Sequence, residues 1–356
     1  MKKALKILLI IFLSILLIVG AYVAYVFIAY HRLGDLSLSV EGTASYEKLG
    51  TEILHIVSYN IGFGAYESDY GFFMDGGKES RAWSKERLDA NLKKISATLS
   101  ERNADLYIIQ EVDIDSTRSY HIDERDYICS SLRGRCCTFA QNYDSPYLFY
   151  PLTNPHGASK SGLMTFSKAA ISSAERIELP IETGITKLLD LDRCYSKNRI
   201  AAEDGKELIL YNFHLSAYTS DGTIATEQLK ILIKDMEKEY AAGNYCIAGG
   251  DFNKDILGDS SVYFGKSDKE YTWAQPLPDG LFDGTHLLLV APIDELSPVP
   301  SCRNADSAYH DGQYVLTIDG FIVSDNVHVE SASVIDTKFA YSDHNPVEMF
   351  FEIESE

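Results

Sequence analysis

The stretch Ser84–Glu111, SKERLDANLKKISATLSERNADLYIIQE, reads as a capped helix that hands the chain to a buried strand. Ser84 offers the short polar side chain that accepts from a free backbone N–H at a helix start. Leu88, Leu92, Ile95 and Leu99 follow at helical spacing and share one face. Asp105–Ile109 is then the next strand and delivers Gln110-Glu111. Upstream, the apolar run Ile53–Val57 ends at Ser58-Tyr59-Asn60 and reads as a buried first strand. Strand, loop, helix and strand in that order follow the βαβ logic of an α/β domain.

The pattern continues to the end of the chain. Gly162–Phe166 and Ile171–Ile177 suggest consecutive antiparallel strands, and Glu207–Asn212 leads into His214. A helix with Leu229, Leu232, Ile233, Met236 and Tyr240 on one stripe stops at Gly243. Tyr245–Ala248 then runs into Gly249-Gly250-Asp251, and Leu316–Val323, Val327–Ile335 and Val347–Ile353 close the set. Strands outnumber helices, so the expected fold is two packed mixed β-sheets with helices outside. With no repeat and no internal linker, residues 51–356 are expected to form one domain.

Ile7–Ala29 is a run of 23 residues without a charge. As a helix it spans roughly 34 Å, against about 30 Å of bilayer hydrocarbon. Lys2, Lys3 and Lys6 precede it, which favours a cytoplasmic N-terminus and an outward-facing domain. A cleaved signal peptide would have a shorter apolar core and a small-residue cleavage site. Residues 1–30 are therefore expected to be a cytoplasmic tip and single-pass anchor in the cell membrane, with the polar segment 31–50 as a stalk.

Net charge is −20, and the part beyond the anchor region holds 28 basic against 52 acidic residues. Binding to long nucleic acids is largely phosphate neutralisation by Lys and Arg, so tight non-specific binding is not expected. A small or lipid-borne phosphoester remains compatible. The six cysteines form no CxxC pair, which argues against a zinc site, and Cys129 with Cys136 or Cys137 is the nearest candidate disulfide.

Chemistry concentrates at strand ends. Glu111 is a hard ligand of the kind Mg²⁺ takes. Asp251 and Asn253, one residue apart, could face one phosphate, and Gly249-Gly250 permits close backbone approach. Asp319 lies inside the apolar run Thr317–Phe321, where a buried acid needs a partner, and His344 in Ser342-Asp343-His344-Asn345-Pro346 could supply one. His214 ends another strand.

Taken together, Ser58-Tyr59-Asn60, Gln110-Glu111-Val112, Asn212-Phe213-His214-Leu215, Gly250-Asp251-Phe252-Asn253, Ile318-Asp319-Gly320-Phe321 and Ser342–Val347 resemble the ordered motifs of the endonuclease/exonuclease/phosphatase superfamily. That group includes pancreatic-type deoxyribonucleases, abasic-site endonucleases, neutral sphingomyelinases and inositol-polyphosphate 5-phosphatases. The resemblance covers about Ile53–Ile353 and implies a four-layer α/β sandwich with Mg²⁺-dependent (or Mn²⁺-dependent) phosphoester hydrolysis. It implies Glu111, Asn60 and Asp343 at the metal, and Asp251 and Asn253 orienting water and phosphate. His344 steadied by Asp319 would be base or transition-state stabiliser, with His214 and Arg199 on phosphate oxygens. Secreted deoxyribonucleases carry a glutamate where this chain has Ser159-Lys160-Ser161, which weakens the extracellular nuclease alternative. A non-catalytic binding module is the other alternative, and the intact residue set argues against it. The long aromatic loop Phe63–Trp83 and the segment Cys302–Asp306 are candidate walls of the substrate mouth, with a surface insertion packed by its own aromatics as the alternative for the loop.

Overall fold

An unbroken apolar helix, α1 (Lys2–Ala29), opens the computed structural model, which describes residues 2–50, 52–183, 191–217, 223–265 and 273–353. Helix α1 is long and apolar enough to cross a membrane, a test that a signal sequence also passes. The expected domain start at Thr51 and its last residues, 354–356, lie outside the described residues.

In chain order there follow β1 (Leu36–Ser37), β2 (Glu41–Gly42), β3 (Leu54–Asn60), α2 (Lys85–Arg102), β4 (Leu106–Asp113), α3 (Arg125–Ser131), β5 (Cys136–Asp144) and β6 (Lys160–Ser167). Next come β7 (Ile171–Glu178), β8 (Cys194–Ala201), β9 (Glu207–His214), α4 (Thr223–Ala241) and β10 (Tyr245–Asp251). The chain closes with α5 (Ser261–Phe264), β11 (Leu287–Val290), β12 (Cys302–Arg303), β13 (Val315–Leu316), β14 (Asp319–Ser324), β15 (Val327–Val334) and β16 (Val347–Ile353). One seven-stranded sheet has the order β1-β7-β8-β9-β10-β14-β11, and a second has β15-β16-β3-β4-β6-β5-β2. Both are mixed: β3–β4 and β9–β10 are parallel, and most other pairs are antiparallel.

Alternation along the strands builds four layers. Ile56, Ile108, Leu208, Leu210, Ile247 and Phe321 meet between the sheets. Val57, Tyr107 and Ile109 turn the other way and receive Leu88, Leu92, Ile95 and Leu99 of α2. Ile209, Tyr211 and Cys246 likewise receive Leu229, Leu232 and Met236 of α4. Ser84 caps α2 as expected, accepting from the Arg87 backbone N–H.

The expected stalk is not free. Strands β1 and β2 pair with β7 and β5, one on each sheet, and Leu49 is buried in the inter-sheet core. Arg32 is already ion-paired with Asp192 at 2.7 Å and Glu178 at 3.1 Å. Residues 32–50 form a strap along the domain, pairing by backbone with both sheet edges and burying Leu49 between the sheets. All six cysteines are free thiols; Cys129 and Cys137 lie side by side and share a hydrogen bond.

Strand pairing within each sheet brings functional residues to one end. On the first sheet Asp251 lies beside both His214 and Asp319. On the second, Asn60 lies beside Gln110, and β16 begins opposite Ser58, directly after Asp343-His344.

Candidate active site

Glu111 is aimed by a defect in its strand. The β4–β6 register slips between Ile109 and Val112, and Glu111 has φ 57°, in the left-handed region. A bulge of this kind turns a side chain out of the alternation, and here it turns Glu111 into the cleft. Asn253 has φ 49°, and its backbone N–H donates to Asp251 Oδ1 at 2.8 Å. Asp251 and Asn253 therefore share the cleft through a tight turn and not through strand alternation. Gly250 permits that turn: at its φ of 143° a Cβ would lie 1.9 Å from the Phe213 carbonyl oxygen.

Asp251 Oδ2 is the hub. It accepts from Asn60 Nδ2 at 3.1 Å and lies 3.5 Å from His214 Nε2 and 3.7 Å from His344 Nε2. Asn60 Nδ2 also donates to Glu111 Oε1 at 3.2 Å. The Asn60 amide oxygen accepts from the Gly62 N–H at 3.0 Å, so Asn60 presents its nitrogen to the carboxylates. In this arrangement Asn60 bridges Glu111 and Asp251 through its nitrogen. His344 Nδ1 pairs with Asp319 Oδ2 at 2.8 Å, and Ser301 Oγ donates to the same oxygen at 2.7 Å. Cys302 Sγ lies 3.7 Å from His344 Nε2.

Electrostatics separate the two histidines. Burial opposes charge on His344, but the Asp319 carboxylate outweighs it and raises His344 well above an ordinary imidazole. Burial lowers His214 well below that range, with Arg193 adding to the effect. Among the described residues its buried Nδ1 has no hydrogen-bond partner. Among the carboxyls, burial raises Asp251 to about 7, with Asp319 adding and His344 opposing. Burial also raises Glu111 and Asp343, against Arg118 and His344 respectively. Acids held up in this way lack countercharge, and such a set of hard oxygen donors suits a divalent cation. Asp251, Asp319 and His344 have ligand atoms within 4.8 Å of one another, and Glu111 and Asp343 line the same cleft.

The cleft, about 270 Å³, is lined by Glu111, Asp251, Asn253, His214, Asp343 and His344. Its walls include Tyr66, Phe72 and Met74 of the aromatic loop, and Cys302–Ala305, so both segments singled out in the sequence border it. Arg199 does not. It faces α4, ion-paired with Glu207 at 2.9 Å and with Glu239. Its register partner is Ile209, five residues before His214, which is roughly 16 Å along the strand. The expected phosphate role of Arg199 is thus corrected: two acids across its strand and helix hold it at the far end of the sheet.

The cleft's own arginine escaped the sequence reading. Arg118 donates from Nε and Nη2 to both oxygens of Asp113, at 3.0 and 2.9 Å, and stacks 3.9 Å over the Phe63 ring. Among the described residues nothing accepts from its third nitrogen, Nη1, and Arg118 lines the cleft. Nothing in Ser116-Thr117-Arg118-Ser119 marks it, because the loop returns to the cleft only through tertiary packing. Arg193, whose Nη1 lies 3.4 Å from the His214 carbonyl, was missed for the same reason.

A model of the Endonuclease/Exonuclease/phosphatase family matches residues 57–344. No curated protein matches the chain in sequence. Among solved structures, an endonuclease/exonuclease/phosphatase from Beutenbergia cavernae is similar with TM-score 0.56 and 15% identity, over 85% of this chain and 72% of that one. The human Nocturnin catalytic domain, with bound sulfate, gives TM-score 0.53 and 18% identity over 89% and 98%. ANGEL2, described as a 2',3'-cyclic phosphatase, gives 0.57 and 15% over 90% and 99%. At these identities the likeness is one of fold.

Proposed function

This chain belongs to the Endonuclease/Exonuclease/phosphatase family, a family of hydrolases of phosphoester bonds, and from that premise we propose an Mg²⁺-dependent enzyme that cleaves a small or lipid-borne phosphoester. We further propose that α1 anchors it in the cell membrane with residues 51–356 outside. The convergence of Glu111, Asp251, Asp319 and His344, from strands of both sheets, on one cleft carries the reading.

Glu111 and Asp343 would hold the cation, which when bound would neutralise the phosphate oxygens and help the leaving oxygen depart. Asp251, raised to about 7 by burial, is suited to accept a proton from the attacking water. His344, raised by the Asp319 carboxylate, is suited to act as a charged donor from Nε2, a division of labour in which Asp251 would be the base. His214, kept neutral by burial, can offer one ring N–H. Asn253 Nδ2 is committed to the Leu215 carbonyl at 2.8 Å, so Asn253 shapes the turn that presents Asp251. Arg118 Nη1 takes the phosphate-oxygen role first given to Arg199. A polynucleotide nuclease is favoured less, since the outer part of the chain is strongly acidic.

The test is a panel of phosphoesters with purified full-length protein: a diester reporter, sugar phosphates, inositol phosphates, choline phospholipids and DNA. Turnover is expected to require Mg²⁺ and to fall at least about 10²-fold in Glu111→Ala and in His344→Ala. Full activity in chelator would overturn the reading.

A further inference from the structure

Ser145–Ser159 contains no Asp, Glu, Lys or Arg, in a chain whose net charge is −20. The segment folds back on itself through a Leu148–Gly157 bridge, and its tip leaves Phe149, Tyr150 and Leu152 exposed by 53, 67 and 85%. Large apolar side chains clustered in water mark an interaction surface. Helix α1 indicates what the surface meets. Tyr22 Oη donates to the Tyr147 carbonyl at 3.1 Å, and the Tyr147 N–H donates to Tyr25 Oη at 3.1 Å. The Phe149 ring stands edge-on to Tyr22, with centroids 5.2 Å apart.

Tyr22 lies seven residues inside the apolar run that ends at Ala29. At the helical rise this is about 10 Å along the axis. Residues that touch Tyr22 are therefore carried below the end of the spanning segment, through the interfacial zone where aromatic side chains settle and against the outer acyl chains. No spacer lifts the domain away, because Arg32 is already clamped to Asp192 and Glu178.

From this tip a track of rings leads to the cleft. Tyr150 meets Phe73 at 5.7 Å between centroids, and Phe73 meets Phe72 at 4.8 Å and His156 at 6.0 Å. Phe72, Met74 and His156 line the cleft itself. Burial lowers His156 to about 4, so this ring of the track is itself uncharged at neutral pH.

We infer that Ser145–Ser159 is a lip resting in the bilayer interface, opening the cleft toward the membrane, and that the phosphoester hydrolysed is carried on a lipid. The inference rests on the anchor and phosphoesterase readings above. Because the lip holds no cation, its membrane contact is apolar and does not require anionic lipid.

The experiment places the full-length chain in phosphatidylcholine vesicles brominated on their acyl chains, with Leu152→Trp and Phe12→Trp made separately. Emission added by Leu152→Trp is expected to fall at least about twofold relative to unbrominated vesicles, as membrane-inserted indole does. Quenching of Phe12→Trp without quenching of Leu152→Trp overturns the lip and leaves the anchor standing; quenching of neither overturns both. A second arm follows release of phosphorylated products from vesicles of phosphatidylcholine, phosphatidylglycerol and phosphatidylinositol, beside soluble bis(p-nitrophenyl) phosphate. The Tyr150→Asp/Leu152→Asp chain is expected to lose about tenfold on vesicles and less than about twofold on the soluble diester. Equal losses, or wild-type turnover of the soluble diester alone, overturn the lipid-borne substrate. No wild-type turnover of either removes the phosphoesterase reading and the substrate inference with it.

Discussion

Asp251 shows how burial can outweigh its neighbours in setting a residue's chemistry. In water it would be ionised at any neutral pH; within the cleft its carboxyl is held up to about 7, and Glu111 and Asp343 are raised in the same sense. A carboxyl with a raised folded-state value binds its proton more tightly folded than unfolded. Its stabilising contribution is therefore complete below the unfolded value of 3.8 and is lost as pH climbs through about 7. The melting temperature in chelator is expected to drop between these two pH values, measured by calorimetry. Asp251→Asn should flatten the drop, and Mg²⁺ should reverse it by binding the ionised carboxylates. An unchanged pH profile in Asp251→Asn would refute this origin. The same residue scale shows what could be read early. Asp319 in an apolar run called for a partner, and His344 proved to be it. Glu111 was legible as an acid at a strand end but not as the centre of a bulge, since φ 57° depends on how β6 pairs with its strand.

At the scale of elements, β5 and β8 went unrecognised because polar residues such as Thr138, Ser196 and Asn198 interrupt their inward faces. Thr138 Oγ1 donates to Asn198 Oδ1 at 2.7 Å, Thr165 and Ser196 share a bond at 3.2 Å, and Gln110 Nε2 donates to Asn212 Oδ1 at 2.8 Å. These pairs cross between the two sheets, so a seam of hydrogen bonds replaces apolar contact near the cleft. Strand reading by hydrophobic alternation cannot detect such a seam, because each half looks solvent-facing until its partner is known. Asn212 also donates to the Met164 carbonyl at 2.8 Å, which ties β9 to the strand beside the Glu111 bulge. Asn212→Leu would strand buried groups and is expected to cost about 1–3 kcal/mol in chemical denaturation. It should also lower kcat through Glu111, whereas a neutral result in both would reduce the seam to filler.

For the whole molecule, the strap decides how the domain meets its anchor. Leu49 is 1% exposed, at the end of a segment whose composition suggested a free stalk. Leu49→Ala is expected to reduce unfolding free energy by about 2–5 kcal/mol, the usual range for a buried leucine. A stalk would show no change. Composition misled here because a polar strap pairs through its backbone, and backbone pairing leaves little trace in side-chain choice. Much else was written in the chain itself. Periodicity marked α2, α4 and most central strands, and the order of the motifs announced two sheets delivering acids and histidines from strand ends. Those readings hold because burial selects side chains locally, residue by residue. Only the tertiary structure decided that Arg118 and not Arg199 reaches the cleft, that Asn60 bridges the carboxylates, and that the lip lies against Tyr22. Each of these depends on which distant segment arrives alongside, and contacts of that kind are fixed by sheet register and loop return, which no local pattern encodes.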